Sequence, residues 1–277
     1  MENFQLNNGV LMPKVGLGVY KVKGDSTEAV VWALKQGYRH LDTAAIYHNE
    51  ELIAEAIHKS GVKRSELFIT TKIWTSDLGA KTRTTFESSL KKLNTDYVDL
   101  YLIHWPTGDY LSSWNTMEDL YREGKIRAIG VSNFESSHLK EIMNHGTIIP
   151  AVNQVQTHPF LQKDELHDFM TSYGIQHVAW APFGRGNKRL LTHPVLKDIG
   201  DRKGKTAAQV ILRWNLQRDI AVIPKSITPA RLEQNIDLFD FTLSEQEMRE
   251  IAALDLNQKG FIDSSNKLYL WITRWIR

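Results

Sequence analysis

Short runs of Val, Ile, Leu and Ala recur along this chain at roughly thirty-residue spacing in its first half, each leading into a helix-patterned stretch. That alternation leaves few folds open. KVGLGVY, HLDTA, LFITTK, VDLYLIHW, IRAIGVSNF, AVNQVQ, IQHVAWAPF and DIAVIPKS are eight strand candidates. Helical patterns over 25–36, 49–59, 80–93, 113–123, 135–143, 164–172 and 207–217 separate most of them. Near-continuous apolar strands are covered on both faces, as in a parallel sheet wrapped by helices. An open doubly wound sheet would place phosphate-binding glycines after the first strand, but Gly16-Leu17-Gly18 runs on as Val-Tyr-Lys and no GxGxxG is present. The expectation is an α/β chain folded as a single-domain (β/α)8 TIM barrel over 1–277. Asn8-Gly9 between two short apolar runs predicts an N-terminal β-hairpin that plugs or caps the barrel.

The 277 residues are 42% apolar and 24% charged, which suits a globular chain with a large core. A net charge of +2, with both signs interleaved, marks no nucleic-acid footprint. The absence of cysteine excludes disulfides, thiolate metal sites and thiol nucleophiles. No stretch approaches the ~18 apolar residues of a spanning helix, and MENFQLNNG lacks a leader pattern. A cytoplasmic protein with no membrane or nucleic-acid partner is expected, and nothing requires more than a monomer.

Four chemistry-bearing residues sit at or just past successive strand ends: Asp42 and Tyr47 in YRHLDTAAIY, Lys72 in ELFITTKIW, and His104 in VDLYLIHWP. In a closed parallel barrel those ends converge on one mouth. A lysine there is costly to desolvate without a carboxylate, so an ion pair with Asp42 is expected. Beside a fixed ammonium, Tyr47 is expected to titrate below its ordinary pKa of roughly 10. His104 is placed to direct a ring N–H at an oxygen gaining charge. Taken singly, each has a plain structural reading: a helix cap, a packed ring, a loop histidine. Taken together, four complementary groups at neighbouring strand ends serve no packing need. An acid and a hydrogen-bond donor suit a carbonyl gaining hydride. No side chain supplies hydride, so a redox cofactor is implied.

These motifs and their order resemble the aldo-keto reductase superfamily, NADPH-dependent (β/α)8 barrels that reduce aldehydes and ketones. The resemblance spans 4–256 and is nearest to bacterial and protozoan members such as 2,5-diketo-D-gluconate reductases and prostaglandin F synthase-like proteins. It implies a catalytic tetrad of Asp42, Tyr47, Lys72 and His104, with Tyr47 donating the proton and His104 orienting the carbonyl. In GVSNF and VNQVQ it implies that Ser132, Asn133 and Gln154 bind the nicotinamide carboxamide. Trp180 takes the position that stacks on the nicotinamide, where many relatives carry Tyr. Pro182, Phe183 and Gly184 resemble the segment folding over the pyrophosphate. In IPKSITPARLEQN, Lys225, Ser226 and Arg231 match residues that grip the 2′-phosphate, and Gln234 and Asn235 those at the adenine. A Lys and an Arg beside a helix start form a phosphate site on physical grounds as well, favouring NADPH over NADH. Tyr20, Trp74 and Trp105, together with His104, match the substrate wall, with rim packing as the competing reading for the three aromatics.

Two departures stand out. The loop TGDYLSSW is short, pointing to an open pocket, and the chain ends in FIDSSNKLYLWITRWIR, where relatives carry a Gly- and Pro-containing tail. Leu268, Trp271, Ile272, Trp275 and Ile276 there fit helical spacing, consistent with a pocket border, a self-association segment or a membrane-surface helix. Two rival functions remain in view. An NADPH-binding redox sensor with little catalysis is opposed by the intact tetrad. A metal-dependent hydrolase is opposed by scattered histidines lacking any HxH or HxxxH pair, so no metal is expected.

Overall fold

The computed structural model describes residues 2–256. Strands β1 (Asn3–Gln5) and β2 (Leu11–Pro13) pair as an antiparallel hairpin. The barrel strands are β3 (Leu17–Gly18), β4 (His40–Asp42), β5 (Phe68–Ile73), β6 (Val98–Ile103), β7 (Ile126–Ser132), β8 (Val152–Gln156), β9 (Gln176–Trp180) and β10 (Ala221–Ile223). They lie in chain order, each parallel to the next, in one eight-stranded sheet. Its two edges meet: Val15 bridges Val222 in parallel, the Gly16 and Gly18 amides donate to Val222 and Pro224 at 2.9 and 3.1 Å, and the Val222 amide donates to Lys14 at 3.0 Å. The expected TIM barrel is therefore what forms.

Among the described residues eleven α-helices accompany the strands: α1 (Thr27–Lys35), α2 (Glu50–Ser60), α3 (Thr82–Leu93), α4 (Tyr110–Arg122), α5 (Ser136–His145), α6 (Asp164–Ser172), α7 (Lys188–Leu191), α8 (Pro194–Lys203), α9 (Ala207–Gln217), α10 (Pro229–Ile236) and α11 (Glu245–Ala252). α6 and α9 match their expected bounds. α4 begins three residues before the expected 113, because the Asp109 carboxylate caps it by accepting from the Ser112 amide at 3.2 Å. α7, α8 and α11 go beyond the helices expected from pattern. In α8, Gly200 lowers local propensity, yet the helix packs so tightly that a Cβ there would lie 2.5 Å from the Lys205 carbonyl.

Strand alternation divides the core in two. Leu41, Ile69, Tyr101, Ile103 and Ile129 face the helices. Phe68, Leu100, Leu102, Ala128, Val152, Val178, Ala221 and Ile223 point inward and pack with Leu6 and Met12 of the hairpin. The hairpin sits where the strands start, since Asn7 and Asn8 donate to the carbonyls of Pro150 and Arg127 at 3.2 and 2.9 Å. It plugs that end as expected. Two residues further along each strand, the same inward parity delivers Lys72 after Phe68 and Thr70, Ser132 after Ala128 and Gly130, Gln154 after Val152, and Trp180 after Val178. Polar side chains thus occupy the opposite end by register alone.

Among the described residues no helix is long and apolar enough to cross a membrane. The tail residues Leu268, Trp271, Ile272, Trp275 and Ile276 lie outside the described residues.

Gly130 shows how little room the interior leaves. A Cβ at this position would approach the Val152 carbonyl to 2.5 Å and Leu102 Cδ2 to 2.9 Å. Because the first obstacle is backbone, Gly130→Ala is expected to destabilise the protein by ~1–3 kcal/mol in denaturant unfolding. An unchanged midpoint would show that β7 and β8 can move apart freely.

Candidate active site

At the carboxyl ends of the strands, β4 and β5 place Asp42 and Lys72 side by side. Lys72 is fully buried, and its Nζ donates to Asp42 Oδ1 at 2.6 Å and to the Thr43 carbonyl at 2.9 Å. The remaining carboxylate oxygen of Asp42 accepts from Gln154 Nε2 at 2.7 Å, across the barrel mouth. Burial lowers the Lys72 pKa below its ordinary value, with Asp42 opposing that shift. Removing either partner would strand a charge in the interior.

Tyr47 follows β4 on a short 3-10 turn, Ala45–Tyr47. Its ring lies 5.3 Å from Lys72 Nζ, 4.9 Å from the Tyr20 ring and 5.8 Å edge-on from His104. The expected lowering of the phenol by the ammonium is not what the structure has. Burial pushes Tyr47 well above 10, with further upward contributions from the Asp42 carboxylate and Tyr20. Desolvation is the largest effect on the phenol, and the Asp42 carboxylate that pairs with the ammonium acts in the same upward direction. The consequence is a phenol that holds its proton at neutral pH.

His104, directly after β6, is held well below 6.5 by burial and by the Lys72 charge, and is therefore a neutral imidazole. Among the described residues its Nδ1 is buried without a hydrogen-bond partner. Trp74 meets the ring edge-on at 5.0 Å and Trp105 lies parallel at 6.4 Å. Trp74 and Trp105 are buried and pack with Ile46, whereas Tyr20 is 46% exposed. The three sequence-selected aromatics thus surround Tyr47 and His104, Tyr20 as an open face and the tryptophans as packed supports.

The second set of sequence-selected residues meets the first through hydrogen bonds. Asn133 Nδ2 donates to the His104 carbonyl and to Ser132 Oγ, both at 3.0 Å, while its Oδ1 accepts from Trp180 Nε1 at 2.9 Å. Ser132 Oγ donates to the Gln154 carbonyl at 2.8 Å. Pro182, Phe183 and Gly184 begin the segment after β9, where Ala181, Gly184, Arg185 and Gly186 all have positive φ. Lys225 and Ser226 follow β10, and Arg231, Gln234 and Asn235 lie on α10. Lys225 and Arg231 are exposed and, among the described residues, neither forms an ion pair. Two uncommitted cations beside the start of an eight-residue helix suit a phosphate group. Asn235 is buried and Gln234 exposed.

Pattern reading missed Asn49. An Asn before a helix reads as a cap, but this one caps nothing with its side chain. Among the described residues no group of three or more His, Cys, Asp or Glu is placed to hold a metal ion.

A parallel (β/α)8 barrel carrying a buried Lys–Asp pair, a protonated phenol and a neutral imidazole at its mouth defines a class of barrel reductase. The aldo/keto reductase family model matches residues 14–256, and the chain belongs to that family. Glyoxal reductase of Bacillus subtilis (strain 168) is 50% identical over 262 residues, covering 93% of this chain and 94% of that protein. The crystal structure of MGS-M4, an aldo-keto reductase enzyme from a Medee basin deep-sea metagenome library, superposes with a TM-score of 0.93 at 46% identity, covering 95% of this chain and 98% of that one. An aldo-keto reductase of Bombyx mori, solved in complex with NADP, gives a TM-score of 0.87 at 36% identity, with 94% of each chain covered.

The buried imidazoles give the fold a pH dependence. Burial holds His40 and His158 down to about 4 and keeps His104 and His177 well below 6.5. These groups stay neutral in the folded chain while the unfolded chain takes up protons near pH 6.5, so their contribution is complete above that value and declines as the pH falls. Stability is expected to drop between about pH 6.5 and 5, by about 1.4 kcal/mol per pH unit for each imidazole still neutral in the fold. Urea unfolding across that range measures the slope, and a flat profile would contradict the assignment.

Proposed function

We propose that this protein reduces small aldehydes and ketones to alcohols with NADPH, Tyr47 acting as the proton donor. The observation that carries the reading is Tyr47 held beside the Lys72–Asp42 pair and edge-on to a neutral His104. The similarity to glyoxal reductase points to small reactive carbonyls as substrates.

When bound, NADPH supplies the hydride. The chain's own residues do the rest. The neutral His104 imidazole donates a hydrogen bond to the carbonyl oxygen and fixes its position over Tyr47. Tyr47, kept protonated by burial, gives its proton as that oxygen becomes an alkoxide, which is far more basic than a phenolate. Lys72 supplies the nearby positive charge that stabilises the phenolate left behind, and Asp42 keeps that ammonium in place. Gln154, hydrogen-bonded to Asp42, connects the pair to the side of the mouth occupied by Ser132, Asn133 and Trp180. Those residues would hold the nicotinamide end, Pro182, Phe183 and Gly184 the pyrophosphate, and Lys225, Ser226, Arg231, Gln234 and Asn235 the phosphorylated adenosine end. Lys225 and Arg231, which form no ion pair among the described residues, support the preference for a 2′-phosphate.

Tyr47→Phe is expected to lower kcat for glyoxal reduction by about 10²–10⁴-fold while leaving NADPH affinity near the wild-type value. Steady-state kinetics with fluorescence titration of the cofactor tests this, and retained turnover would remove Tyr47 from the acid role. Arg231→Ala removes one charge-assisted contact and is expected to narrow the preference for NADPH over NADH by about ten- to a hundredfold. An unchanged ratio of kcat/KM values for the two cofactors would count against that contact.

A further inference from the structure

Asn49 occupies the position before α2, yet its amide reaches away from the helix. Its Oδ1 accepts from Thr43 Oγ1 at 2.7 Å, and its Nδ2 donates to the carbonyls of Val19 and Val22 at 2.8 and 3.4 Å. The residue is 1% exposed, so these bonds form away from water and losing any of them leaves a buried polar group unmatched.

The two ends of this tie belong to different loops. Val19 and Val22 bound a tight turn, closed by the Val22 amide donating to the Val19 carbonyl at 3.0 Å, and Tyr20 stands inside it. Lys21, the next residue, has φ 60°, a left-handed conformation that a lysine adopts only where surrounding contacts enforce it. Asn49 holds a carbonyl on either side of Lys21. On the other side, Thr43 is the residue whose carbonyl takes the second hydrogen bond from Lys72 Nζ. Tyr47 lies on the segment between Thr43 and Asn49, with its ring 4.9 Å from Tyr20.

We infer that Asn49 is a positioning residue for the reduction: its buried amide locks the Tyr20 turn to the Thr43–His48 segment and so sets Tyr47 against both Tyr20 and Lys72. The inference rests on the role proposed above for Tyr47. Asn49 touches no reacting atom. Its effect is through the distance between the phenol and its neighbours, where a shift of about 1 Å is enough to cost about 10²-fold in rate.

The test compares Asn49→Ala, Asn49→Asp, Thr43→Val and Thr43→Ser in the full chain. Asn49→Asp keeps the acceptor for Thr43 and loses both donations to the turn. Thr43→Ser keeps the hydroxyl that Thr43→Val removes. Peptide-resolved hydrogen exchange reports on 19–22 and 43–48, and kinetics with glyoxal and NADPH give kcat and KM. The expected result is faster exchange confined to those two segments in Asn49→Ala, Asn49→Asp and Thr43→Val. In Asn49→Ala and Asn49→Asp, kcat falls by about ten- to a hundredfold with a smaller change in KM, and Thr43→Ser restores most of what Thr43→Val loses. Exchange that rises throughout the barrel, or kcat that stays at wild type once the loops have loosened, would overturn the inference. If a variant does not fold, the remaining ones carry the comparison. Should the wild-type protein reduce no aldehyde, the reductase reading falls by itself. Localised exchange would then still uphold the tie between the loops, and unchanged exchange would overturn it.

Discussion

Burying a lysine ammonium completely is among the more expensive things a fold can do, and this barrel does it at Lys72 by surrounding the charge with acceptors. Asp42 compensates the charge, the Thr43 carbonyl accepts a second hydrogen bond from the ammonium, and Gln154 donates to the carboxylate oxygen that Lys72 leaves over. Asp42 ends β4 and Thr43 follows it directly, whereas Lys72 comes from β5 and Gln154 from β8. Strands β4 and β5 must be in register before the ammonium is satisfied, and β8 before the second carboxylate oxygen is, which ties the site's electrostatics to correct assembly of the barrel.

That pair also governs how Tyr47 and His104 behave. A lysine free of Asp42 would present an uncompensated charge to the phenol, whereas the paired one leaves burial as the larger effect and keeps the proton on Tyr47. For a group proposed to give up a proton only as an alkoxide forms, the protonated state is the useful starting point. The same charge helps to keep His104 neutral, so that its ring remains an N–H donor without becoming a second acid. Acid and orienting donor are thus separated by their environments, although both sit within one aromatic cluster.

Much of this was legible in the residue order. Strand-end positions brought out Asp42, Lys72 and His104 because inward parity in a parallel barrel is periodic and local. The Asn8-Gly9 hairpin and the bounds of α6 and α9 followed from turn chemistry and helical spacing. Helix α8 escaped because Gly200 weakens its local propensity and packing holds it, whereas α7 and α11 carry caps at Asn187 and Ser244 that apolar spacing does not register. The sign of the Tyr47 shift was missed for a related reason. A neighbouring ammonium can be inferred from spacing, but how far the phenol is desolvated depends on contacts from distant segments. Asn49 was hidden by its own likeness to a helix cap, a local motif that the folded chain uses for a tie across two loops.

The sequence by itself determined the eightfold strand–helix alternation, the hairpin plug and the convergence of the charged strand ends, since each follows from periodicity within a few residues. Tertiary structure alone decided that the Lys72 ammonium meets both the Asp42 carboxylate and the Thr43 carbonyl, with Gln154 on the other carboxylate oxygen, that Tyr47 remains a phenol, and that Asn49 spans two loops. Those outcomes depend on desolvation and on partners as far apart in the chain as Asp42 and Gln154. Neither the dielectric around a group nor the identity of what faces it exists until the barrel has closed.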